Sequence, residues 1–167
     1  ELISGLINDG FNSLPVLDNL TELEHFKARV KRECNIGIRI ATGEEPQSNY
    51  YTARLGIRHR EIQDYYLNVI KKEPLFKLKM LHFFIDNGIE DSQYYWNELQ
   101  KCLKVYCDLQ KECPTLDSLN IGGGFPIKHS LAEEFDYQYL TDEIIRQIKE
   151  FCIEQKVPVP NIFSEFG

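Results

Sequence analysis

Three consecutive glycines, Gly122, Gly123 and Gly124, follow directly on a strand-like segment, Leu116 to Ile121. A turn at a strand end with no Cβ atoms lets several backbone N–H groups converge on one anion, and phosphate is the usual occupant of such a nest in a β/α protein. The same run suits a tight loop that needs φ > 0 or close packing, and the residues alone leave both readings open. The G-x-G-x-x-G spacing of a dinucleotide fold is absent. His82 lies inside the apolar run 78–85, where a histidine is ordinarily a hydrogen-bonded core residue and less often the wall of a site. Lys77, Lys79 and Lys128 read as solvated surface lysines. His25, His59 and His129 show no carboxylate or cysteine spacing that suggests a metal.

Short apolar strands alternating with longer amphipathic helices would position these residues. Strands are predicted near 14–17, 35–41, 78–85, 116–121 and 160–165. In the second, Ile36, Ile38 and Ile40 alternate; the third is apolar on both faces, as a strand covered on both sides requires. Gly10 is placed to cap a preceding helix tail, and Thr21 with Glu24 has the spacing of a capping box. Pro74 and Pro114 stop two helices, and the last helix is expected to follow Thr141. Crossover-length helices between strands imply parallel pairing in chain order. The fold class is α/β: a partial (β/α)8 barrel of about five parallel strands, with residues 1–167 as one domain. The first residues read as the middle of a helix and the last as a strand end, so the chain is expected to be a piece of a larger barrel, which needs eight strands and typically about 250 residues.

The run Leu119-Asn120-Ile121-Gly122-Gly123-Gly124-Phe125-Pro126 resembles the glycine-rich phosphate loop of the fold-type III pyridoxal-phosphate decarboxylases, the alanine-racemase-like barrels. Leu81-His82-Phe83-Phe84-Ile85 resembles that family's Leu-His-Phe-His-Ile strand, most of all in its arginine decarboxylase form. Arg54-Leu55-Gly56-Ile57 resembles the segment that opens an earlier helix, and Ser164-Glu165-Phe166-Gly167 the Glu-Pro-Gly-Arg segment late in the barrel. The resemblance spans nearly the whole chain. It implies pyridoxal phosphate as cofactor, held at its phosphate by Gly122, Gly123 and Gly124, with Glu165 on the pyridinium nitrogen. Phe84 stands where the family stacks a histidine on the ring, and Asp86-Asn87 where it has Gly-Ser, so Asn87 would donate to the phosphate. The lysine that carries the cofactor would precede this sequence, and the substrate-domain Cys and Asp would follow it. By resemblance, then, the chain is the barrel portion of a basic amino-acid decarboxylase in polyamine synthesis, inactive by itself. A binding or regulatory homologue, a racemase-like barrel and an unrelated open α/β protein are the alternatives.

Composition narrows the partners. With 43% hydrophobic and 27% charged residues the chain can bury a core, and no apolar stretch reaches the length of a membrane span. A net charge of −7 and no basic stripe argue against nucleic acid. Five cysteines without paired C-x-x-C spacing fit neither a disulfide framework nor zinc, and point to core filling in a reducing cytoplasm. The expected partners are a small-molecule amino-acid substrate and further copies of the chain, because Leu14, Val16 and Leu17 at one sheet edge and Ile162 and Phe163 at the other would present apolar surface.

Overall fold

Ile36, Ile38 and Ile40 are all buried, and the sheet is organised around the strand that carries the first two. The computed structural model describes residues 1–42, 55–85, 92–124 and 136–165. In it β2 (Cys34–Arg39) pairs in parallel with β1 (Val16–Leu17) on one side and β3 (Phe76–His82) on the other. β3 pairs with β4 (Ser118–Asn120) and β4 with β5 (Asn161–Phe163), again in parallel. The sheet order β1-β2-β3-β4-β5 is chain order, as the alternation of strands and helices predicts.

The helices are α1 (Leu2–Asn8), α2 (Glu22–Lys27), α3 (His59–Asn68), α4 (Ser92–Gln110) and α5 (Tyr137–Gln155), with a 3-10 turn at Ile70–Lys72. α3 packs on α4 and α4 on α5, so consecutive crossover helices lie side by side on one face of the sheet. That is the arrangement of successive barrel units; an open doubly wound sheet places helices on both faces. Strand residues Ile36, Ile38, Leu78 and Leu119 share one apolar core with Ile62, Leu99, Leu103 and Ile148 of the helices. All five cysteines are buried and unpaired in this core, and burial pushes the Cys34 thiol up to about 11.

Element ends follow local hydrogen bonding more closely than apolar runs. β3 stops at His82 although Phe83 and Ile85 are buried, because the backbone leaves the ladder there and Thr42 Oγ1 donates to the Phe84 carbonyl at 2.7 Å. Gly10 ends α1 as expected, its N–H donating to Ile7 and that of Phe11 to Leu6. The capping box sits earlier than Thr21–Glu24: Asn19 Oδ1 accepts from Glu22 N at 3.1 Å, and Glu22 Oε2 accepts from Asp18 N at 2.7 Å. α5 begins at Tyr137, ahead of Thr141, because Asp136 accepts from Tyr139 N at 2.8 Å.

The two sheet edges differ. On β5, Ile162 and Phe163 are exposed, whereas Leu17 on β1 is fully buried. Beyond the end of β1, Gly56 donates its N–H to the Asp18 carbonyl and Ile57 bridges Ile40 just after β2.

α5 ends on Lys156 in the left-handed region, φ 57°, where Val157 N donates to the Cys152 carbonyl. A side chain in that conformation costs about 1 kcal/mol relative to glycine. Lys156→Gly is therefore expected to stabilise the chain by up to about 1 kcal/mol, measured as a higher denaturant midpoint at unchanged slope.

Candidate functional site

The carboxyl ends of three adjacent strands carry one row of polar residues. Arg39 ends β2, His82 ends β3 and Asn120 ends β4, and the register pairs Arg39 with His82 and His82 with Asn120. Polar residues aligned at the last paired positions of three neighbouring strands mark the end at which ligands bind in parallel sheets. Arg39 reaches Asp18 at 3.5 Å and sets its guanidinium 5.7 Å from the centre of the Phe84 ring.

Beyond Asn120 the glycine turn packs into the neighbouring chain on both sides. Gly122 has φ 69° and Gly124 φ 79°, left-handed conformations that favour glycine. A Cβ on Gly122 would stand 2.7 Å from the Phe83 carbonyl oxygen, and one on Gly123 2.7 Å from that of Glu165. Both requirements of a tight loop are thus present. The amides are not equivalent: Gly122 N donates to Asn120 Oδ1 at 2.8 Å, whereas the N–H groups of Gly123 and Gly124 have no partner among the described residues. Two amides at this turn are open to an anion and the third is held inside the protein.

The same turn seats Glu165. Its N–H donates to the Gly122 carbonyl at 2.9 Å, which carries the pairing of β4 and β5 past the strand ends. Its Oε1 accepts from Asn120 Nδ2 at 2.8 Å and lies 3.7 Å from His82 Nε2. The carboxylate is more than half exposed, and Oε2 is unpartnered among the described residues. Burial pushes the His82 imidazole below its ordinary pKa; Glu165 and Asp18 oppose that and Arg39 reinforces it, so the ring is neutral near pH 7.

Of the residues singled out from sequence, Gly122, Gly123, Gly124, Glu165 and Phe84 come together at this end of the sheet. Asn87 lies outside the described residues. His82 is not a satisfied core histidine, because its Nε2 is buried without a hydrogen-bond partner. Lys79 stands at the middle of β3, paired with Asp117 at 2.5 Å and away from this row. Arg39, Asp18 and Asn120 escape sequence reasoning, because Arg39 and Asn120 sit inside runs that continue with apolar residues and only the register sets them side by side with His82.

Comparison with known proteins adds a family and a fold. Residues 7–167 match the model described as "Pyridoxal-dependent decarboxylase, pyridoxal binding domain". The biosynthetic arginine decarboxylase of Geobacter sp. (strain M21) is 27% identical over 95% of this chain, and that of Citrifermentans bemidjiense is equally similar. The chain spans about a quarter of the length of these relatives, 27% of each. The biosynthetic arginine decarboxylase of Campylobacter jejuni superposes with a TM-score of 0.79 at 22% identity, over 99% of this chain and 28% of that one. A diaminopimelate decarboxylase of M. jannaschii in complex with L-lysine gives 0.76 at 19% identity, over 98% and 39%. At these identities the structures establish the shared barrel fold, of which the five strands are a part.

Two outcomes are expected from the site's geometry. Gly122→Ala combines a left-handed φ with a clash against backbone, and should lower stability by roughly 2 kcal/mol or more, measured by chemical denaturation. The second concerns pH. Below the ordinary histidine value of 6.5 the unfolded chain takes up a proton that buried His82 resists. The contribution of His82 is therefore complete above that value and is lost as pH falls through it. In urea titrations the wild type should lose stability relative to His82→Gln between about pH 7.5 and about pH 5. A pH-independent difference would contradict it.

Proposed function

The chain belongs to the pyridoxal-dependent decarboxylases, as their pyridoxal binding domain, and from that premise we propose that residues 1–167 form the cofactor-holding segment of a barrel that decarboxylates a basic amino acid, with arginine the substrate. The observation that carries this reading is the pairing, on one turn, of two open amides with a carboxylate that keeps one oxygen unpartnered. The residues present suit pyridoxal phosphate: anion donors without side chains in the way, a carboxylate for a ring nitrogen, and an aromatic surface at Phe84. The names of the two curated relatives support arginine over other amino acids.

In this reading Gly123 and Gly124 hold the phosphate through their N–H groups, and Asn87 adds a side-chain donor. Gly122 shapes the turn and leaves its amide to Asn120. Glu165 Oε2 faces the ring nitrogen and keeps a proton there, because a carboxylate at hydrogen-bond distance favours the charged pyridinium. Bound there, pyridoxal phosphate supplies an electron sink for the pair released when carbon dioxide leaves. Phe84 offers an aromatic face without a titratable proton, and the Arg39 guanidinium stands beside it. The replacement of an imidazole by that phenyl ring favours, as a second reading, a homologue that binds without catalysing. Polyamine synthesis in the cytoplasm is the setting we propose. No helix among the described residues is long and apolar enough to cross a membrane.

Titration of pyridoxal phosphate into the chain, followed by its absorbance, tests the reading. Expected are weak, saturable binding, competition by inorganic phosphate, and a several-fold loss of affinity in Glu165→Ala. Borohydride treatment should leave no cofactor attached to a lysine. Binding that is absent, or indifferent to both phosphate and Glu165→Ala, would contradict the proposal.

A further inference from the structure

His82 Nε2 is buried at the centre of the polar row without a hydrogen-bond partner among the described residues, and the nearest acidic group among them is Glu165 Oε1, 3.7 Å away. Oε1 is already fixed by Asn120 Nδ2 at 2.8 Å. A small rotation of the carboxylate or the ring would bring the histidine contact to ordinary length, about 2.9 Å, and remove the orphaned nitrogen. The groups facing the imidazole are Glu165 after β5, Arg39 on β2 and Asp18 after β1. Burial and Arg39 hold the ring neutral, so one ring nitrogen carries a proton it can donate while the protein spends no second charge.

We propose that His82 is a positioning residue for Glu165: its Nε2–H donates to Oε1 beside Asn120, locking that oxygen so that Oε2 alone is presented to a protonated aromatic nitrogen in the ligand. A carboxylate held at one oxygen by two neutral donors cannot turn away from its ligand, and its second oxygen stays free to accept. Asn120 contributes doubly, since its Oδ1 holds the Gly122 amide while its Nδ2 holds Glu165. The turn and the carboxylate are thereby oriented by one side chain, and His82 supplies the second constraint on the carboxylate. The identity of the ring rests on the cofactor reading above; the contact between His82 and Glu165 does not.

Carboxyl-carbon NMR of the full chain without ligand tests the contact. In His82→Phe at pH 7 the Glu165 side-chain carboxyl resonance should move from its wild-type position, and His82→Gln, which keeps a neutral N–H donor of similar reach, should restore it. An unchanged Glu165 resonance in a natively folded His82→Phe chain would overturn the proposal. Should that variant not fold, the His82 Nε2 nitrogen shift in otherwise unaltered chain must respond to Glu165→Gln, and its indifference would overturn the proposal equally. Affinities for pyridoxal phosphate and for its analogue with CH in place of the ring nitrogen test the consequence. His82→Phe should weaken the first about tenfold and leave the second within about twofold. Equal losses for both would make His82 merely structural. A wild-type chain that binds neither ligand while Glu165 still responds to His82 would sink the cofactor reading and leave the positioning contact standing.

Discussion

The rest of the site depends on the missing Cβ atoms between Asn120 and the end of the glycine turn. Gly122 lies against the backbone of Phe83 and Phe84, and Gly123 against that of Glu165, at separations where any side chain would overlap a carbonyl oxygen. Backbone cannot retreat as a flexible side chain can, so the only way to keep three strand ends level is to leave these positions bare. Level strand ends are what let Asn120 reach Glu165 and His82 stand beside both. Binding capacity follows from the same geometry, because a turn without side chains also leaves the amides of Gly123 and Gly124 uncovered. Structural and binding reasons for the glycines are one arrangement seen from two sides.

The electrostatics of the row are uneven in a way that suits a zwitterionic ligand. Arg39 is committed to Asp18 and to the Phe84 ring, His82 is neutral, and Glu165 places a carboxylate against the turn. A phosphate can thus be met by dipoles and a pyridinium by a carboxylate, without two opposite formal charges of the protein collapsing onto one another. Partial solvent access to Glu165 weakens such attraction relative to a closed pocket. The expectation of weak cofactor binding has this physical origin.

Much of the fold was legible because hydrophobic period and chain punctuation agree. Ile36, Ile38 and Ile40 announce a strand by alternation, Pro114 closes a helix, and crossover-length helices leave parallel pairing in chain order as the natural arrangement. Boundaries were less legible where a polar side chain decides them: Asn19 in place of Thr21 starts α2, and Asp136 starts α5 ahead of Thr141. The glycine run and Glu165 could be singled out by their place in motifs. Their partners could not, since Asn120 and Arg39 acquire meaning only through register, which places the last residues of separate strands side by side. His82 was misread for a related reason. Burial was correctly anticipated, but whether a buried ring finds a partner is a property of its neighbours and not of its own strand. Edge exposure divided likewise: β5 carries the exposed apolar residues expected of it, while at the β1 edge Leu17 is buried and Leu14 and Val16 are half-buried.

The central claim is that the turn after β4 meets an anion with Gly123 and Gly124 while Gly122 stays bound to Asn120. Backbone amide NMR during titration with pyridoxal phosphate measures this residue by residue. Saturable downfield shifts are predicted at Gly123 and Gly124, with Gly122 moving little because its N–H is already engaged. Shifts concentrated at Gly122, or no change at any of the three while the ligand binds elsewhere, would contradict the account.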